Sequence, residues 1–278
     1  MALISREPRA EVCFRVMTYN VHRCRGIDRV WSPERIAEVI ASCHPDIVAL
    51  QELDVGRARS GHVDQAEAIA RDLGMDVQFF PALRVMEELY GDAILSRWPA
   101  KTVKAAALPA VRLPGLEPRG ALWSSIRMGG VAVQVINTHL SVLGRERLKQ
   151  VDALLGPEWL DHPGCREPVI VMGDFNATTR SRAYRRLAER FRDVYRALPR
   201  REKTPSRATF PTRYPRLCLD HIFVGGTVDV VQAGTVRTPL ASFASDHLPV
   251  LAELKVPCPV PQKRERAEGV GAIEPTRR

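Results

Sequence analysis

The feature that most constrains this chain is a short apolar run that stops on an acid. Val169-Ile170-Val171-Met172 lies between Pro168 and Gly173 and is followed by Asp174-Phe175-Asn176. Four apolar residues in a row, bounded by a proline and a glycine, read as a buried strand. Gly173 lets the backbone turn sharply where the strand ends. In extended chain, Asp174 and Asn176 point the same way. A carboxylate and a carboxamide at the open end of a buried strand are costly to place unless they bind something; an Asx-type turn is the plain alternative. For this stretch alone the two readings weigh about equally.

The same grammar recurs along the chain. Phe14–Tyr19 runs into Asn20, Ile47–Leu50 into Gln51-Glu52, and Val131–Asn137 into Thr138-His139. Leu217–Val224 holds Asp220 and His221, and Ser245-Asp246-His247 precedes the run Leu248–Leu254. Asn20, Glu52, His139, Asp174, Asn176, Asp220, Asp246 and His247 thus share one position type. Gathered at one rim, they make a hard, oxygen-rich site suited to Mg²⁺ or Mn²⁺. Zinc fits less well, because thiol ligands are absent and histidines are the minority.

Helices fall between the early runs. Ser32-Pro33-Glu34 has a cap followed by proline at the first helical position. Further helices are expected over Asp64–Leu73, Arg145–Leu155 and Arg180–Arg190, and a hairpin around Gly129-Gly130. Strands outnumber helices, and two packed sheets with helices over their outer faces bury all the runs. The expected division is a loose leader over 1–12, one domain over 13–256, and a disordered Pro- and charge-rich tail over 257–278.

Charge and cysteine usage narrow the setting. A formal net charge of +9 favours an anionic partner. None of the six cysteines forms a C-x-x-C pair; Cys13 and Cys218 fall in apolar runs, where a buried thiol is usual. A reduced, cytoplasmic setting is expected. No apolar stretch reaches membrane-span length, so lipid contact would be peripheral, at the inner membrane face.

Six short motifs then carry a resemblance: Thr18-Tyr19-Asn20, Leu50-Gln51-Glu52, Asn137-Thr138-His139-Leu140, Gly173-Asp174-Phe175-Asn176, Leu219-Asp220-His221 and Ser245-Asp246-His247. In this order they resemble the endonuclease/exonuclease/phosphatase superfamily. The resemblance implies an α+β fold, a four-layer α/β/β/α sandwich of two mostly antiparallel sheets with outer helices. It implies Glu52 as the principal Mg²⁺ ligand (Mn²⁺ as substitute), with Asn20 and Asp246 beside it. Asp174 would orient or deprotonate the attacking water, Asn176 would hold that water or a phosphate oxygen, and His139 would be a phosphate contact. His247 would support the developing charge, its tautomer fixed by Asp220.

Lesser candidates surround these. Arg57, Arg59 and Arg119 lie in loops from which they could reach a substrate phosphate, or simply face solvent. Asp92 could support His139 or cap a strand. His22 reads as a surface residue and His221 as structural. Only Trp31, Tyr90 and Tyr214 are aromatic residues in expected loops near basic ones, a thin basis for base stacking. The expected function is a Mg²⁺-dependent phosphodiesterase acting on nucleic acid. The first alternative is a phosphodiesterase or phosphatase acting on a phospholipid headgroup or small phosphate at a membrane surface. The second is a non-catalytic binding module. With no heptad or long amphipathic helix, monomer is the default.

Overall fold

The structure, a computed structural model, describes residues 10–111, 116–198 and 207–258. Two six-stranded sheets form its centre. One contains β1 (Glu11–Asn20), β2 (Ile47–Val55), β3 (Asp76–Val85), β4 (Glu88–Ser96), β11 (Asp229–Thr235) and β12 (Val250–Pro257), in the order β11-β12-β1-β2-β4-β3. The other contains β5 (Ala100–Ala107), β6 (Gly120–Met128), β7 (Val131–His139), β8 (Val169–Asp174), β9 (Arg192–Asp193) and β10 (Asp220–Gly225), in the order β5-β6-β7-β8-β10-β9.

Each sheet has one parallel pair at its middle, β1 with β2 and β7 with β8; every other pairing is antiparallel. Parallel neighbours need a crossover, and helices supply it. The helices α1 (Pro33–Ala41) and α2 (Gln65–Leu73) cover the first sheet, and α3 (Gly144–Leu154) and α4 (Arg182–Ala188) the second. Short helices α5 (Val194–Ala197) and α6 (Ala241–Ala244) complete the set. Ser32, Asp64 and Ser181 cap α1, α2 and α4, each accepting a backbone N–H with its side chain.

Three apolar cores result. Phe14, Val16, Val133, Val135, Ile170 and Ile222 are among those filling the space between the sheets. Met17, Leu50, Ile36 and Ile69 seal α1 and α2 to one outer face, and Trp123, Val171, Leu154 and Tyr184 seal α3 and α4 to the other. This is the four-layer α/β/β/α sandwich, and it explains why the central strands are apolar on both faces.

Several boundaries differ from the sequence reading. β1 begins at Glu11 and pairs with β12 as far as Pro257, so residues 11, 12 and 257 are strand rather than leader or tail. The ladder between two strands, not the polarity of Glu11 or Pro257, sets where they end. The rest of the leader and tail, 1–9 and 259–278, lies outside the described residues. β3 and β4 form one long hairpin, so Tyr90 is a buried strand residue and not a loop residue. Cross-strand pairing carries Arg84 and Glu88 into the ladder despite their charge. β10 begins at Asp220, which leaves Cys218 in the preceding loop, half-buried, while Cys13 is exposed beside Glu253.

Candidate active site

The parallel pairs decide where the site is. The parallel pairing of β1 with β2 runs out at Asn20 and Gln51, and that of β7 with β8 at His139 and Asp174. The antiparallel partner β10 starts at the same end, opposite Asp174, and β12 starts there just after Asp246 and His247. One end of the sandwich therefore receives a polar side chain from each of these strands or the loop beside it.

Two backbone devices aim them. Between Leu50 and Leu53 the register of β2 against β4 slips, and Glu52 takes φ 63°, in the left-handed region. A bulge of this kind re-aims a side chain that regular pleating would direct elsewhere. Gly173 has φ 150°, and a Cβ there would run into the Thr138 carbonyl of β7. Only glycine lets β8 lie close enough to bring Asp174 beside His139. Beneath the site, Gln51 donates to the Asn137 side chain at 2.8 Å, and Asn137 donates to the carbonyls of Leu50 and Ala93. This buried polar link joins the two sheets beneath that end.

Asp174 is at the centre. Its Oδ2 accepts from Asn20 Nδ2 at 3.0 Å and its Oδ1 from the Asn176 backbone N–H at 2.8 Å. His139 Nε2 is 3.5 Å and His247 Nε2 3.7 Å from Oδ2. Burial, reinforced by the negative charge of Asp220, raises its pKa to about 6, against the pull of His247 and the two amide donors. His247 Nδ1 lies 2.8 Å from Asp220 Oδ2. Burial opposes its charge, but Asp220 and Asp174 outweigh burial and lift its pKa to about 10. His139 goes the other way: burial, then the Arg119 and His247 charges, hold its pKa well below the usual value. Arg119 Nη1 is 2.9 Å from His139 Nδ1; since arginine only donates, the neutral ring keeps its proton on Nε2.

The acidic groups near the opening form a second cluster. Asn20 Nδ2 also donates to Glu52 Oε1 at 2.9 Å, so one amide bridges Glu52 and Asp174. The Asn20 oxygen accepts from His22 N–H. His22 Nδ1 stands 3.7 Å from Glu52 Oε2 and 3.4 Å from Asp246 Oδ2. Read from the sequence as a surface residue, His22 is half-buried against two of the expected metal ligands. Its spacing, two residues past Asn20, was the available signal; its left-handed φ of 47°, which turns the ring inward, was not.

The lesser candidates separate. Arg119 and Asp92 adjoin the site. Asp92 is buried and accepts the Glu52 backbone N–H; burial lifts its pKa to about 7, against the nearby Arg119 charge. Arg119, rather than Asp92, is the group on His139 Nδ1. Arg59 forks onto the buried carboxylate of Asp54 at 2.9 and 2.7 Å, and Arg57 Nε meets Glu88 at 3.3 Å, so both are held in structural ion pairs. His221 packs with Phe175, Tyr184 and Phe223 in the outer core, its Nε2 2.7 Å from the Ala177 carbonyl and its Nδ1 3.3 Å from Asp193. Asn176 Nδ2 donates to the Leu140 carbonyl and lies 3.1 Å from His139 Nε2.

Comparison with known proteins places this arrangement among relatives. Residues 17–247 match the family described as Endonuclease/Exonuclease/phosphatase family. The protein YbhP of Escherichia coli (strain K12) is 29% identical over 257 residues, covering 87% of this chain and 96% of that protein. A solved endonuclease/exonuclease/phosphatase from Beutenbergia cavernae is 25% identical with a TM-score of 0.71, covering 90% of this chain and 72% of the other. The human nocturnin catalytic domain shares the fold at 24% identity and a TM-score of 0.65, covering 88% of this chain and 97% of that one.

Proposed function

This chain belongs to the endonuclease/exonuclease/phosphatase family, and from that premise we propose that it is a divalent-metal-dependent phosphodiesterase that hydrolyses an anionic phosphoester by attack of water. The observation that carries the reading is Asp174: a buried carboxylate with its pKa raised to about 6, ringed by Asn20, Asn176, His139 and His247. A base near neutrality beside two imidazoles is the equipment for drawing a proton from water while a phosphate is held.

The donor set fits a hard cation. Glu52, Asp92, Asp174, Asp220 and Asp246 bring five carboxyl groups to one end of the molecule, and Asp220 Oδ1 is buried without a partner. Glu52 and Asp246 are the residues that would hold Mg²⁺, or Mn²⁺ in its place, with Asn20 and His22 fixing their carboxylates. The chemistry such an ion supplies when bound is neutralisation of charge on the phosphate oxygens.

The chain's own residues do the rest. Asp174, ionised above about pH 6, takes a proton from the water. Asn176 and Asn20 keep its two oxygens in place. His247 carries its proton at neutral pH and offers Nε2–H to the phosphate oxygens as they gain charge, while Asp220 holds the ring by Nδ1. His139, neutral and pinned by Arg119, offers a second N–H beside it. Turnover of a soluble bis-aryl phosphodiester with Mg²⁺ or Mn²⁺ tests this. Activity abolished by EDTA and by His247→Ala is expected; activity retained in the variant overturns the reading. Absence of both turnover and metal binding would favour a binding module on the same scaffold. Which phosphodiester reaches the site, nucleic acid or phospholipid headgroup, is governed by the surface around the opening.

A further inference from the structure

The exposed large apolar side chains gather at the same end as the site. Val30 is in the loop after Asn20, Met86 at the β3–β4 turn, Val142 three residues past His139, and Tyr214 and Leu217 in the loop before Asp220. Met86 is 88% exposed, Tyr214 66% and Val142 56%. Among the described residues, the only strongly exposed large apolar side chains away from this end are Val103 and Val231, both on sheet-edge strands. Scattered exposed apolar residues are ordinary, but a cluster around one opening is not.

These loops are built into the site and hold their tips in fixed positions around it. Thr212 N–H donates to the Asp246 carbonyl, and Phe210 packs on the His247 ring at 4.8 Å. Arg57 and the Ala58 N–H both engage Glu88, which fastens the loop after Glu52 to the β3–β4 hairpin. Arg147 donates to the carbonyls of Ser141 and Val142.

Each tip also has an arginine beside it. Arg29 precedes Val30, Arg84 precedes Val85-Met86, Arg145 stands two residues past Leu143, Arg213 precedes Tyr214, and Arg216 precedes Leu217. All five arginines are exposed, and among the described residues none of them meets a carboxylate. Apolar tips with guanidinium groups at their base match the boundary of an anionic bilayer, where acyl chains lie just below phosphates. A DNA duplex offers phosphates, but it would bury Met86 or Val142 only by unstacking base steps, at a cost an acyl-chain layer does not impose. Stacking on single-stranded bases is poorly served, since Trp31 already lies under Arg25 at 5.1 Å.

We propose that this end of the molecule seats on an anionic phospholipid surface and that the phosphoester delivered to Asp174 and His247 belongs to a lipid headgroup. The second half rests on the phosphodiesterase reading; the first does not. The test is co-sedimentation of the full chain with vesicles of phosphatidylcholine alone or mixed with phosphatidylglycerol, with a short DNA duplex as a parallel probe. Wild type should sediment with the anionic vesicles and stay in solution with the neutral ones. Met86→Ser/Tyr214→Ser should weaken the vesicle partition about tenfold, and Arg84→Gln/Arg213→Gln should weaken it and flatten its salt dependence. Turnover of the soluble bis-aryl ester should be unchanged in both variants, which also shows that they fold. Failure to bind anionic vesicles, binding that these variants leave intact, or a preference for the duplex would overturn the proposal. Vesicle binding by a wild type that cleaves no phosphoester would instead overturn the phosphodiesterase reading and leave the docking face standing.

Discussion

At the scale of single residues, the site is a set of groups whose charges are set by their neighbours. Asp174→Asn keeps the shape but removes the base, and kcat should fall by roughly 10²–10⁴-fold while Mn²⁺ affinity, measured by calorimetry, changes little. His247 gives a pH prediction. Its pKa in the fold, about 10, lies above the usual value near 6.5. Its contribution to stability is therefore fully present below about pH 6.5 and is lost as pH rises through about 10. In the metal-free protein, the stability advantage of wild type over His247→Gln should shrink across that window in urea titrations. Asp220→Asn should lower the His247 pKa, read by NMR of the ring. Glu52, His139, Asp174, Asp220, Asp246 and His247 were legible because each stands at or beside one end of an apolar run. His22 was not, because its inward turn depends on left-handed backbone that no composition signals.

At the scale of elements, Arg57 and Arg59 show how sequence proximity misleads. They follow Glu52 closely, yet Arg59 serves Asp54, whose side chain is wholly buried and has this arginine as its ion-pair partner. Arg59→Ala leaves that carboxylate uncompensated and should cost about 3 kcal/mol of stability, with a lower Tm and little change in KM. A substrate contact would give the opposite pattern. Gly173→Ala should be more damaging than its size suggests, because the added methyl meets the Thr138 backbone and pushes β8 from β7. The measurement is a loss of Tm together with a loss of kcat. The central strands and the Val77–Phe80 half of β3 were legible in their apolar runs, whereas the second half of β3 and the first half of β4 were hidden by Arg84 and Glu88 along the hairpin. Their order came from pairing, which no local pattern encodes.

At the scale of the whole molecule, the proposed metal-dependent activity predicts that folding and ion binding are coupled through the same end. The strands and loops there bring together five carboxyl groups, so a cation that binds the folded chain should stabilise it. Mg²⁺ or Mn²⁺ at about one hundred times its Kd should add about 2.7 kcal/mol. Calorimetric scans should show a raised Tm that EDTA reverses, and no rise in Glu52→Gln/Asp246→Asn. The two-sheet plan was legible in outline from the balance of strands and helices. The placement of β12 beside β1, with β11 outside it, was not, since it joins residues more than two hundred positions apart.

That pairing has a consequence for the chain as it leaves the ribosome. β1 is made first among the described strands and lies in the middle of its sheet, but the strand that covers its outer side, β12, is made last. Until residues 250–257 emerge, one side of β1 lacks its full ladder, and until residues 246 and 247 emerge the site lacks Asp246 and His247. The nascent protein is thus an incomplete sheet with an open edge and no hydrolytic activity. It depends on finishing synthesis before another strand finds that edge.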